Sequence, residues 1–423
     1  MSINPFLAEK RQKTYEQLVP IIGEDGVAAF KEHMDTLGDE LYIWVAGLWN
    51  QEIGGFYYSN SARDNEPFLP DVESTAQALG WLEGCKMFED FGDSYVRAIP
   101  EDMKAALKKF VLGLQSPEDG YFYHPQWGKN IKLSRRSRDL GWSLGLIKAL
   151  GLQPLYDSPT GVKGSLGAPL QLVVENGEEK KTNTLPDYLQ STEALRVFLD
   201  GLDIYHRSYN GGNDLSALRS ELEAAGPEIV RYVFDYLNGL QNPENGLWSD
   251  NSDYYAVNGL MKIGMVYTYF KEPLPNYEKA IRSAIYAVTS DEVPTGITSI
   301  YNPWVCISAT IDTVRLSHGD GEADRLRALV RENAAAMIKA TSKKLAPYRK
   351  PDGGYSYCVE CSAWTSQGAP VALKNTAESD VNATAIATNG TLRCMCRALD
   401  ITRPQLFSGE QLPHFLELIT NRK

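Results

Sequence analysis

Apolar residues return at helical spacing along most of this chain. The clearest stretch is 101–114, where Met103, Ala106, Leu107, Phe110 and Leu114 share one face and Lys104, Lys108 and Lys109 lie opposite. A helix of that kind has one wet face and belongs to an outer layer. Residues 140–150 and 256–270 differ: they are apolar or small nearly throughout and are interrupted by Gly141, Gly145, Gly259 and Gly264. Helices covered on both sides look like that, because glycine lets neighbours approach closely. The same patterning predicts helices over 27–49, 71–88, 189–206, 215–240 with a break at Pro227, 277–289, 297–317, 325–341, 380–399 and 411–419. Alternating wet and dry helices predict two concentric layers.

A turn recurs between these helices. It appears as Leu48-Trp-Asn-Gln-Glu-Ile-Gly-Gly-Phe56, Leu114-Gln-Ser-Pro-Glu-Asp-Gly-Tyr-Phe122, Leu240-Gln-Asn-Pro-Glu-Asn-Gly-Leu-Trp248 and Tyr348-Arg-Lys-Pro-Asp-Gly-Gly-Tyr355. Gly55, Gly120, Gly246 and Gly354 stand 65, 126 and 108 residues apart, so two gaps are close to twice the third. Weaker turns at Glu175-Asn-Gly177 and Pro294-Thr-Gly296 fill them and give intervals of 65, 57, 69, 50 and 58. A repeat of this length is one supersecondary unit. The expectation is an all-α fold of about six helical hairpins, an (α/α)6 toroid spanning 1–423 as one domain. The Gly- and Pro-rich stretch 152–187 reads as an irregular insertion, with a short strand over 170–174.

The turns at Gln115-x-Pro-x-Asp-Gly-Tyr-Phe122 and Gln241-x-Pro-x-Asn-Gly-Leu-Trp248 resemble the repeat of terpenoid cyclases and protein prenyltransferase β chains, members of the α/α-toroid superfamily. That resemblance, over roughly 25–400, implies an outer helix joined to an inner one at every turn. It implies little about chemistry, because glycosidases and carbohydrate lyases use similar six-hairpin barrels. Asp71-Val-Glu-Ser-Thr-Ala76 is similar to the cyclase acid motif Asp-x-Asp-Asp-Thr-Ala, with Glu73 and Ser74 replacing the central carboxylates. The change leaves Glu73 without its acidic partner and argues against terpenoid cyclisation.

Composition narrows the classes. The charge balance, 42 − 54 = −12, disfavours nucleic acid and anionic membranes as partners. No run of 18 apolar residues and no leader-like N-terminus occurs, so a cytoplasmic location without a membrane span is expected. No cofactor is expected either: phosphate-loop, dinucleotide, nucleophile-elbow and His-Glu-x-x-His motifs are all missing from the sequence. Cys358-x-x-Cys361 with Cys394-x-Cys396 offers four thiols for zinc. However, residues two apart on a helix diverge by about 200°, and buried reduced cysteine is the simpler reading.

Polar residues gather after the turns, where inner helices begin. Carboxylates at Glu73, Asp71 and Asp139 supply acid and base candidates, and His124 and Tyr123 proton-transfer candidates. Arg63 and Arg138 suit an anionic group, and Tyr57, Trp127, Tyr254 and Trp304 offer faces for a sugar ring. The expectation is an enzyme acting on a carbohydrate or polyhydroxylated acid, by hydrolysis or by lyase-type elimination. The alternatives are a terpenoid-cyclase-like or prenyl-binding enzyme, and a non-catalytic scaffold. A charged, aromatic hollow favours the sugar; an aliphatic and aromatic one favours the isoprenoid; a plugged one favours the scaffold.

Overall fold

In a computed structural model of the chain, which describes residues 5–170 and 185–421, the fold is mostly α-helical with two short β-hairpins. Six stretches form an inner set, five of them after a recurring turn and the third, Ser208–Ala217, after the helix Thr192–Leu202: Val72–Gly84, Leu133–Ala149, Ser208–Ala217, Tyr254–Phe270, Ile297–His318, and Val381–Ala385 continued through a π-helical segment to Thr391–Leu399. They pack side by side. The second lies against the first, the first against Val381–Ala385, Thr391–Leu399 against the fifth, the fifth against the fourth, and the fourth against the third. Outer helices such as Glu101–Gly113, Tyr277–Thr289 and Ala334–Leu345 cover this arc, each burying one apolar face.

The recurring turns are one structure used repeatedly. In both Gln-x-Pro turns the glutamine closes the loop on the glycine carbonyl: Gln115 Nε2 donates to Gly120 O at 3.1 Å, and Gln241 Nε2 to Gly246 O at 2.9 Å. Gly120 and Gly246 have φ of 71° and 70°, a left-handed backbone that glycine adopts without a Cβ penalty. Phe122 and Trp248 are fully buried beyond them. The Gly-Gly turns share a second device. Thr75 Oγ1 accepts from Phe56 N and Thr384 Oγ1 from Tyr355 N, each at 2.9 Å. A Cβ on Gly55 or Gly354 would lie 2.9 or 2.6 Å from those same hydroxyl oxygens, so only glycine lets the inner helix seat there. Thr75-Ala76, part of the acid-motif resemblance, therefore has a structural duty as a clamp.

Three of the six inner helices start on an acidic cap. Asp71, Asp253 and Asp380 accept from the backbone N–H three residues on, at Ser74, Ala256 and Ala383. Neighbouring starts meet: Ile297 N donates to Tyr357 O, and Tyr357 N to Asp380 Oδ2 at 2.9 Å.

Several expected elements differ from those observed. The helix expected over 27–49 is two: Pro5–Asp35, bent at Gly23, and Glu40–Ala46. Its amphipathic first half escaped notice because Pro20 and Gly23 interrupt the pattern. Residues 215–240 split at Pro227 as expected and once more near Leu218. The 325–341 helix is replaced by Asp320–Glu332 and Ala334–Leu345. Pro294-Thr-Gly296 does precede an inner helix. Residues 152–169 hold no helix or strand. The strand expected over 170–174 and the turn at Gly177 lie, apart from Leu170, outside the described residues.

Candidate functional site

Arg135 is the centre of the site. It lies in the first turn of the second inner helix, where a cation opposes the helix dipole and needs compensation. Compensation comes from three carboxylates. Nη1 donates to Glu73 Oε2 at 2.9 Å, Nε to Asp139 Oδ2 at 3.1 Å, and Nη2 reaches Asp139 Oδ1 and, at 3.5 Å, Asp71 Oδ1. Arg135 has no exposure, and Asp71, Glu73 and Asp139 are 2%, 4% and 2% exposed. A buried ion set holds only when geometry and hydrogen bonding compensate its desolvation.

The spacing explains why these side chains meet. Arg135 and Asp139 are four residues apart on one helix face. Asp71 caps the first inner helix and Glu73 sits in its first turn, and the two helices pack together. Glu73 is the junction. Its Oε1 receives Arg138 Nε at 2.6 Å and Gln77 Nε2 at 3.1 Å, while Oε2 also receives Ser366 Oγ at 2.9 Å. Arg138, with its side chain 37% exposed, connects this buried group to solvent.

Three carboxylates against two guanidiniums leave one negative charge in excess. Asp139 responds. Burial, with the Asp71 and Glu73 charges, pushes its carboxyl up to about 6 against the opposing pull of Arg135. For Arg135, burial acts downward but the Asp71, Asp139 and Glu73 charges outweigh it and raise its pKa.

A short hairpin, Thr365–Ser366 paired with Ala369–Pro370, covers the group and brings in Ser366. It is anchored by Trp127 Nε1 and Gln126 Nε2, which donate to Pro370 O at 2.9 and 3.2 Å. Beneath it Tyr58, Val371 and Ala372 form a small apolar cluster separate from the main core. Tyr58 donates to Asp380 Oδ1 at 3.0 Å. Burial pushes the Asp380 carboxyl up to about 7 and the Tyr58 hydroxyl well above its ordinary value.

The expected site residues thus divide. Glu73, Asp71, Asp139 and Arg138 converge. His124 lies alongside: its Nε2 is 3.0 Å from Pro70 O, its ring is 4.2 Å from that of Trp127, and burial lowers its pKa. Trp127 is no free platform, because it also carries the Arg135 guanidinium 4.5 Å from its ring centre. Trp304 is wholly buried, donating to Thr341 Oγ1 at 3.1 Å, and belongs to the core. Tyr254 is buried against Lys344, whose Nζ donates to its hydroxyl at 3.0 Å, and Tyr57 is buried with its hydroxyl taken by Asn50. Tyr123 donates to Asp119 Oδ2 at 2.8 Å, and burial with that contact pushes its hydroxyl up to about 12. Arg63 is engaged by Asp64 through two bonds and by Gly47 O.

Arg135, Ser366, Tyr58 and Asp380 complete the arrangement. The Arg135/Asp139 spacing was the signal for the first. Nothing in the sequence places Ser366, some 290 residues distant, on Glu73. Partly exposed aromatic side chains occur instead at Trp364, next to the hairpin and with Lys374 Nζ 5.2 Å over its ring, and at Tyr255, both 43% exposed. Among the described residues no three His, Cys, Asp or Glu side chains form a group able to hold a metal ion, so the four thiols are not gathered as a zinc set. Cys358 and Cys361 sit in a loop, and Cys394 and Cys396 are buried on the last inner helix.

Among the described residues no helix is long and apolar enough to cross a membrane. No protein-family model, curated protein or solved structure matches the chain.

Proposed function

We propose that the chain closes its helical hairpins into an (α/α)6 toroid and is an enzyme acting on an acidic carbohydrate or polyhydroxylated acid where the inner helices begin. One observation carries this reading: Glu73 is held between a buried arginine, Arg135, and a partly exposed one, Arg138. A substrate carboxylate would compete for the planar fork of Arg138. Glu73 would then lose one of its cations while Arg135, Gln77 and Ser366 still position it. In elimination it would serve as the base, taking the proton on the carbon next to the substrate carboxylate, whose charge Arg138 neutralises, while the C–H pair forms a C=C bond, the C–O bond one carbon further on breaks and the leaving oxygen takes up a proton. Asp139, pushed up to about 6, would be the group able to carry a proton near neutrality. In hydrolysis the same two carboxylates divide the roles of base and acid. Trp364, 43% exposed and with Lys374 Nζ 5.2 Å from its ring centre, would offer more open ring surface than the buried Trp304.

The isoprenoid reading calls for Glu73 or Asp71 projecting into a dry cavity. Both instead carry charged partners, which weighs against either carboxylate acting as an acid in a dry cavity. The test is turnover of a panel of neutral and uronate-containing oligosaccharides by the wild type, Glu73→Gln and Arg138→Ala. Activity confined to acidic substrates and lost in Glu73→Gln supports the assignment. Equal turnover by all three proteins removes these residues from the mechanism.

A further inference from the structure

Away from Glu73, a cavity of about 590 Å³ lies among the fourth, fifth and sixth inner helices, bounded by Arg219 just beyond the third. Its walls are aliphatic, aromatic and sulfur-bearing, and include Leu260, Met265, Val305, Tyr267 and Tyr301. Its charges are cationic. Arg219, Arg393 and Arg397 line it against a single carboxylate, Asp312. Arg397 spends its charge on Asp312, to which it donates at 2.7 Å. Arg219 lies over the Tyr269 ring at 5.5 Å, and among the described residues neither Arg219 nor Arg393 forms an ion pair. Arg219 is the first residue of the helix Arg219–Ala225, and Arg393 precedes the last turn of Thr391–Leu399, so neither is in the last turn of its own helix, where a cation answers the negative end of the dipole. The volume suits a small organic molecule.

We propose that this chamber is a second binding site, for an amphipathic anion whose apolar body lies against the aliphatic walls and whose carboxylate or phosphate head is held by Arg219 and Arg393. The proposal is independent of the reading of Glu73. Gly264 supplies a clean probe. It lines the chamber, and a Cβ built on it meets nothing within 4 Å. A larger side chain there would occupy the chamber while improving helix propensity.

The experiment is calorimetric titration of the full chain with decanoate, decyl phosphate, decanol and decyltrimethylammonium, repeated on Gly264→Leu, Arg393→Gln and Glu73→Gln. At least one anion is expected to saturate below about 1 mM and to bind roughly tenfold or more tighter than decanol and the cation. Decanoate against decyl phosphate tells which head group the arginines prefer. Arg393→Gln, at an exposed position, should erase the preference for the anion. Gly264→Leu should abolish binding without lowering the melting temperature, and Glu73→Gln should leave binding unchanged. Decanol binding as tightly as both anions, no saturation by either anion, or anion binding unaltered in both Gly264→Leu and Arg393→Gln would each overturn the proposal.

Discussion

Arg135 and Glu73 join the first two inner helices through an ion pair of 2.9 Å, with both side chains withdrawn from solvent. Removing the cation would strand Asp71, Glu73 and Asp139 in a buried space. Arg135→Met is therefore predicted to cost about 3–5 kcal/mol, the usual penalty for breaking a buried pair from one side. Urea unfolding measures it, and a loss below about 1 kcal/mol would show that the cluster is solvated.

Arg138 makes the opposite case. Its side chain is 37% exposed, and Glu73 retains Arg135, Gln77 and Ser366 without it. Arg138→Ala should change stability by no more than about 1 kcal/mol while abolishing selection for acidic substrates. Paired unfolding and turnover measurements separate the two effects. A large stability loss would make Arg138 part of the scaffold.

Asp380 gives a pH signature. Its carboxyl is pushed up to about 7 by burial, whereas in the unfolded chain it titrates near 3.9. Between those values the native state holds the extra proton, so stability falls as pH rises from about 4 to about 7. Asp380→Asn keeps a competent helix cap and removes the titration. Its stability should decline less than that of the wild type across this window, read from urea midpoints at about pH 5 and pH 8. Parallel declines would contradict the buried, protonated carboxyl.

Two tryptophans near the inner helices should behave oppositely. Trp304 is wholly buried, and Trp304→Ala should cost about 3–5 kcal/mol. Trp364 is 43% exposed, and Trp364→Ala should stay within about 0.5 kcal/mol of the wild type while weakening sugar binding. Thermal unfolding of both, with binding measured for the second, checks the distinction.

The helical character was legible because its signals are local: the Met103 to Leu114 stripe, and the Gln115 and Gln241 turns whose glutamines close on Gly120 and Gly246. The carboxylates Asp71 and Glu73 were legible for the same reason, since both lie at an inner-helix start, whereas Asp139 lies in the second turn of Leu133–Ala149. What escaped was pairing at a distance. Arg135 is one of three arginines, with Arg136 and Arg138, in the opening turns of one helix, and in the sequence only its i,i+4 relation to Asp139 sets it apart. The reach of Ser366 to Glu73 is a property of tertiary packing with no local signature. Trp127, Trp304 and Tyr254 were expected to offer open faces because residue type signals ring chemistry but not burial. In the structure Trp127 is covered by the Arg135 guanidinium and the His124 ring, and the other two are buried.

The most direct test of a Glu73–Arg138 site for acidic sugars is calorimetric titration of a uronate oligosaccharide, with its neutral counterpart as control, into wild type and Arg138→Ala. The account predicts saturable binding of the acidic ligand by the wild type, weakened roughly tenfold or more in Arg138→Ala, with little binding of the neutral one. Equal affinity of the two proteins for the acidic ligand, or no preference for it over the neutral one, would contradict the account.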